Sequence, residues 1–327
     1  MSSPYDAAGW LSPTRAWRLI ECPASVRPVT VGTAGANNGQ EVNAGTLAHR
    51  VLERWILAEG YRAADPKAAL TEAADACVAE LHGAPPSSWR VSRARLIARG
   101  MSLVDLIGDR APEHVLSEIE LKDEDLRLRG QLDLLLLGDE TVVVDLKTQT
   151  LLDEELPEWV EFQLRVYAHL VEKTYGKLPA RAEVFSLNRG RREVQITEES
   201  IQDALAGLAT ARAADLSSAN PSPEVCRFCD RRLVCEPHWG VVTTWPDVDA
   251  VEGAVQRAEH AATGVVALLL ETADGAAWVS GIPRAFADVI AGDVIRCVRV
   301  RHVETSGATP EWRWRGMSTC RISAVAK

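Results

Sequence analysis

Two apolar runs, residues 132–137 and 141–146, are separated only by Gly138-Asp139-Glu140. Such spacing predicts a β-hairpin with buried strands, the second of them rich in Val. Upstream, Leu47, Val51, Leu52 and Trp55 recur at helical spacing, so an amphipathic helix is expected with His49 near its start. Residues 157–175 read as another helix, in which Gln163 and Tyr167 share one face. Residues 182–187 read as a strand, and Glu118 and Glu120 fall in a short strand-like segment. Near the start, Ser12 is a good N-cap and Pro13 suits the first helical position; the helix stops at Pro23 and carries Cys22 at its end. Residues 29–43, rich in Gly, Asn and Thr, read as a loop.

Past residue 240 the pattern changes. Residues 241–249 have linker character with Pro246, 251–261 look helical, and from Gly264 strands follow at 265–271, 276–280, 294–303, 312–315 and 319–325. Turns are expected at Ala273-Asp274-Gly275 and Gly292-Asp293. Five short strands in this length have the proportions of a small β-barrel and resemble an OB-fold. Trp312 and Trp314 alternate with Arg313 and Arg315, so the indoles share a face, either to stack on unpaired bases or to fill the barrel interior. The expected organisation is a domain over 1–240, a linker and helix over 241–263, and the barrel over 264–327.

Charged residues are rare in buried strands, so Asp133, Asp145 and Lys147 in the hairpin need a purpose. A structural ion pair at a strand end is one reading. The other is a metal site: Asp133 and Asp145 are hard oxygen ligands for Mg²⁺ or Mn²⁺, the Leu146 carbonyl can add a third, and Lys147 can orient or activate an attacking water. Glu118 or Glu120 could extend the metal shell.

The ordered series Gly45-x3-His49, Gly130-x2-Asp133, Asp145-x-Lys147-Thr148 and Gln163-x3-Tyr167 resembles the RecB-like nuclease domain of the PD-(D/E)XK superfamily. The resemblance implies an α/β fold with a restriction-endonuclease-like mixed sheet flanked by helices. It also implies that His49, Asp133 and Asp145 bind metal, that Lys147 serves catalysis, and that Gln163 and Tyr167 contact DNA near the scissile phosphate.

Seven cysteines without an even pairing pattern or a signal peptide argue for metal or cluster ligation over a disulfide framework. Cys226-x2-Cys229-x5-Cys235 with the distant Cys22 offers a Cys₄ set for zinc or a [4Fe–4S] cluster. Cys226, Cys229, Cys235 and His238 would make a local Cys₃His zinc site instead. The split pattern resembles the iron–sulfur staple of Cas4 and AddB nucleases, which implies a [4Fe–4S] cluster clamping the two ends of the nuclease domain. Cys77, Cys297 and Cys320 sit singly and read as core residues.

Composition adds limits. The chain has 327 residues, 46% hydrophobic and 25% charged, with room for one large and one small core. A formal net charge of −10 argues against coating DNA by bulk electrostatics, though local basic groups remain: Arg90, Arg93, Arg95 and Arg99; Arg189, Arg191 and Arg192; Arg231 and Arg232. No apolar stretch is long enough to cross a bilayer, so a cytoplasmic protein with no membrane partner is expected. No Gly-x4-Gly-Lys-Ser/Thr occurs, so unwinding would come from a helicase or other repair or defence subunit. The resulting expectation is a metal-dependent DNA nuclease, acting on single strands or ends as an exonuclease. The alternative is a non-catalytic single-strand-binding or scaffold subunit with a Cys-ligated zinc or iron–sulfur site.

Overall fold

In the computed structural model, residues 9–29, 43–148, 155–227, 229–286, 288–303 and 309–323 are described. They fall into two compact units, one from the chain before Glu21 with Glu41–Ala214, the other from Glu21–Gln40 with Asp215–Lys327. The 29–43 loop lies almost wholly outside the described residues.

The first unit runs α1 (Pro13–Glu21), α2 (Ala44–Leu57), α3 (Pro66–Ala79), α4 (Trp89–Ile107), β1 (Val115–Asp123), β2 (Leu128–Leu136), β3 (Val142–Lys147), α5 (Glu158–Tyr175), β4 (Arg181–Ser186), β5 (Gly190–Val194) and α6 (Glu198–Ala213). Its sheet has the order β1-β2-β3-β4-β5. Of these neighbouring strands only β3 and β4 run parallel, and α5 is the crossover that a parallel pair requires. Every residue of β3 except Lys147 is buried, which is why it reads as an unbroken apolar run and not as an alternation. Leu134, Leu136, Val144, Leu146 and Phe185 pack on the apolar stripe of α2 to α4, while α5 covers the sheet from β1 to β4 with α6 beside it. Caps fix where the helices begin: Asn43 Oδ1 accepts the Thr46 amide at 2.9 Å, Ser12 Oγ accepts that of Arg15 at 3.3 Å, and α5 stops at Gly176, where φ is +71°. The mixed α/β sheet flanked by helices is therefore as expected.

The second unit departs from expectation. It contains β6 (Ala250–His260), β7 (Val265–Thr272), β8 (Gly275–Pro283), β9 (Val294–Val298), β10 (Arg301–Val303), β11 (Glu311–Arg313) and β12 (Thr319–Ser323). These form one seven-stranded sheet in the order β10-β11-β8-β7-β6-β9-β12; among the described residues no closed barrel forms, so the OB-like barrel is not found. The helix expected over 251–261 is strand β6. Val251 and Val255 are four apart, a spacing that serves a helix and a strand equally; Gly253 between them decides, because a Cβ there would lie 2.6 Å from the Glu271 carbonyl oxygen. The single strand expected over 294–303 is broken before β10 by Arg299, whose φ is +61°. Cys297 and Cys320 do not sit singly: they oppose each other across β9 and β12, both fully buried. Trp312 and Trp314 pack against the core of this sheet while Arg313 and Arg315 are exposed. Among the described residues no helix is long and apolar enough to cross a membrane.

The Trp314 ring stacks on Phe286 at a centroid distance of 5.5 Å. Trp314→Ala should therefore lower the unfolding free energy by about 2 kcal/mol, whereas exposed Arg313→Ala should leave it nearly unchanged. Urea unfolding of the two variants measures this; equal stability would contradict a packing role for the indole.

Candidate metal centre

Strand register builds the site. β1 meets β2 through the pairs Ser117–Leu134 and Ile119–Leu132, and β2 meets β3 through Leu134–Val144. The same registers set Glu118, Asp133 and Asp145 in one row across three neighbouring strands. The β2–β3 ladder ends just before that row, and the Leu146 amide donates instead to Asp133 Oδ2 at 2.5 Å. Glu118 has a φ of +52° in mid-strand, a left-handed backbone that costs a residue with a side chain about 1–3 kcal/mol. Strain is thus held at the row where the carboxylates meet.

From α2, His49 Nδ1 reaches to 2.9 Å from Asp133 Oδ1 and 3.4 Å from Glu118 Oε1. One ligand atom from each of His49, Glu118 and Asp133 falls within 4.8 Å of the others. Carboxylate oxygens with one imidazole suit Mg²⁺ or Mn²⁺. Of the two acids, Glu118 is the one placed beside His49 and Asp133, whereas Glu120 is exposed and pairs with Lys122 at 3.3 Å. Sequence reasoning left these two unresolved because it had no partner strand, and hence no register, for β1.

Asp145 lies 2.7 Å through Oδ2 from Lys147 Nζ, without an aligned hydrogen bond to that oxygen. Burial pushes its pKa up to about 6; Lys147 opposes the shift and Asp133 adds to it. For His49, burial opposes the charged ring, but hydrogen bonds to Asp133 and Glu118 override it and push the pKa up to about 10. A proton on His49 therefore joins Asp133 and Glu118 when no cation does.

The Lys147 ammonium also donates to Gln163 Oε1 at 2.7 Å. Tyr167 donates to the Gln131 carbonyl at 2.7 Å, and burial among nearby acids raises its pKa, keeping the hydroxyl protonated. Gln163 and Tyr167 are both buried, and these bonds tie α5 to the middle of β2 and the end of β3. The motif glycines have steric causes. A Cβ on Gly130 would lie 2.6 Å from Tyr167 Cε1, and one on Gly45 would lie 2.7 Å from Thr148 Oγ1. Gly45 thereby lets the start of α2 approach the end of β3. Behind the acids, Leu52, Ile56, Leu103, Leu146 and Phe185 line an apolar pocket that His49 and Asp133 also border.

In the second unit, Cys22, Cys226, Cys229 and Cys235 line one pocket together with Arg232 and His238. The Cys22 sulfur accepts the Asn220 amide at 3.3 Å. Burial, with Cys229 nearby, pushes the Cys226 thiol up to about 12. Arg232 is itself buried, and donates to Asp249 Oδ2 at 3.0 Å and to His238 Nε2 at 3.3 Å. Several arginines that composition offered as a basic track are committed within the chain: Arg93 to Asp75, Arg99 to the Asn188 carbonyl, Arg191 to Glu183 and Arg231 to the Pro28 carbonyl.

The sequence profile described as the PD-(D/E)XK nuclease superfamily matches residues 10–236. The chain belongs to this superfamily. No curated protein matches the sequence. Among solved structures, the crystal structure of SSO0001 shares 15% identity over 63% of this chain and 90% of its own, with a TM-score of 0.30. A murine DNA-binding protein bound with double-stranded DNA shares 11% over 65% and 94%, TM-score 0.23. RecJ from Thermus thermophilus in complex with Mn²⁺ shares 12% over 86% and 41%, TM-score 0.21. Overlaps this low carry no argument. The PD-(D/E)XK family is one of metal-dependent nucleases, and the oxygen-rich group at His49, Glu118 and Asp133 fits the divalent cation that such an enzyme uses.

In this PD-(D/E)XK nuclease, a cation held by His49, Glu118 and Asp133 would displace the His49 proton. With the folded pKa near 10, above the ordinary value of 6.5, the protonated contact is complete below about pH 6.5 and is lost as pH rises through 10. Mn²⁺ affinity should therefore climb roughly tenfold per pH unit between pH 7 and 9, one proton being released per ion. Calorimetric titration at several pH values measures the slope, and His49→Gln should flatten it. A slope that persists in that variant would place the released proton elsewhere.

Proposed function

We propose that the first unit hydrolyses phosphodiester bonds in DNA, in the manner of the RecB-like and Cas4-like members of the superfamily, acting on single strands or ends as an exonuclease. The observation that carries this reading is the row Glu118, Asp133 and Asp145 with His49 at one side and Lys147 at the other. His49, Asp133, Glu118 and Asp145, with the Leu146 carbonyl, would hold Mg²⁺ or Mn²⁺, which neutralises charge building on the phosphate. Lys147 orients the attacking water, and Gln163 holds the lysine through its 2.7 Å hydrogen bond. Tyr167 holds β2 through the Gln131 carbonyl, two residues before Asp133. In this reading the nuclease module is residues 1–240, the first unit together with the cysteine-bearing part of the second, a span that the family match over residues 10–236 supports. A helicase or other partner would supply opened DNA.

The thiol pocket supports a [4Fe–4S] cluster on Cys22, Cys226, Cys229 and Cys235. Arg232 Nε is always a donor, so the His238 nitrogen facing it is an acceptor and its other ring nitrogen carries the proton. With Nε2 already accepting from Arg232, ligation through the other nitrogen would need an imidazolate, which favours the Cys₄ set over the Cys₃His zinc site. The buried Arg232 guanidinium also suits an anionic occupant.

Asp133→Ala, Asp145→Ala and Lys147→Ala should each reduce cleavage of end-labelled DNA with Mn²⁺ by at least a thousandfold, roughly the weight of a lost charge stabiliser, with DNA binding kept. Retained cleavage by highly purified Asp145→Ala would sink the assignment. Cys22→Ser should lower iron content and melting temperature together. Were His238→Ala to lose metal while Cys22→Ser kept it, zinc on the local set would replace the cluster.

A further inference from the structure

Trp159 stands in the first turn of α5, one helical step before Gln163 and two before Tyr167, so the three side chains form a single stripe along the helix. Its half-buried ring lies over Lys147, with Nζ 5.0 Å from the centroid. The ammonium has three N–H donors. Among the described residues it donates to Gln163 Oε1 at 2.7 Å and stands in an ion pair with Asp145 Oδ2, also 2.7 Å away but without an aligned hydrogen bond. The indole face is the remaining partner.

We propose that Trp159 is a positioning residue for Lys147: its π face holds the ammonium in place while leaving one N–H uncommitted to any oxygen. This rests on the nuclease reading above. Of the three partners, a π face binds an ammonium less strongly than an ion-paired carboxylate or a hydrogen-bonded amide oxygen. It is therefore the contact that yields when an oxygen of the substrate phosphate or the attacking water arrives. An aliphatic side chain at 159 would leave that donor to bulk water, and the ammonium would swing about its four-carbon stem. A carboxylate there would bind the donor too firmly to release it. The arrangement thus favours the transition state without tightening ground-state binding, so its loss falls on kcat and not on KM.

The test compares Trp159→Phe, Trp159→Tyr and Trp159→Leu with the parent enzyme on a short end-labelled single strand and Mn²⁺. Lys147→Ala and Asp145→Ala are measured beside them, and melting temperatures are recorded for all. Trp159→Leu should lower kcat roughly five- to thirtyfold, the range of a partly desolvated cation–π contact, with KM changed less than twofold. Tyr and Phe should restore most of the loss, since both present a ring face. Leu matching Phe in kcat, or a change confined to KM, overturns the proposal while leaving the nuclease assignment intact. Full activity in Lys147→Ala and Asp145→Ala overturns the assignment itself, and the proposal with it. Should the Leu variant melt below assay temperature, Trp159→Met takes its place: kcat lowered in Met and largely kept in Phe and Tyr supports the role, and Met matching Phe overturns it.

Discussion

Three carboxylates in one row across adjacent strands are the constraint on which the first unit depends. Like charges at strand spacing, half shielded from water, repel strongly unless cations stand among them. His49 supplies one from α2 and Lys147 another from the end of β3. With all three acids ionised and His49 neutral, Lys147 leaves the row at −3 + 1 = −2, the charge a divalent ion cancels. When no such ion is bound, the His49 proton reduces the excess to −1. The proton and a metal ion would therefore compete for the same carboxylates, and it is those carboxylates that raise the His49 pKa.

Much of the surrounding structure follows from keeping this row in register. Gly45 allows α2 to start against Thr148, and Gly130 leaves space for the Tyr167 ring whose hydroxyl ties α5 to β2. The ladder opens at Leu146, where a carboxylate takes the amide. Glu118 keeps an unfavourable φ within a strand whose neighbouring pairs, Ser117–Leu134 and Ile119–Leu132, stay in register. Each of these local departures from regular structure is stabilised by packing on both faces of the sheet, which is where strain of a few kcal/mol is tolerated.

The hairpin, the two helices bearing His49 and Gln163, and the ordered motif were legible because each depends on short-range spacing: a Gly-Asp turn, an i to i+4 repeat, a capping residue. Glu118 was not singled out from Glu120, because only the pairing of β1 with β2 tells them apart, and that pairing is fixed by contacts between strands. The same limit explains β6, where Val251 and Val255 fit either period and the approach of Glu271 to Gly253 settles the matter. Strand count alone suggested a barrel for the second unit. Closure depends on which strands pair, and here β10 and β12 end at opposite edges of one sheet. Trp312 and Trp314 alternated with Arg313 and Arg315 as the sequence implied, but which face meets the core is a tertiary fact, and the indoles took it.

The two groups of ligand-type residues differ in the way their functions would require. His49, Glu118 and Asp133 are hard donors with side chains 31%, 15% and 16% exposed. An ion there can exchange and can share its coordination with a substrate, as catalysis by charge neutralisation demands. Cys22, Cys226 and Cys229 are soft donors no more than 8% exposed. Cys226, its thiol pushed up to about 12 by burial, resists ionising without a metal to hold the thiolate. An occupant of that pocket would have nearly every donor supplied by the chain and no open position for a substrate. Its binding energy would then appear as stability of the second unit and not as turnover.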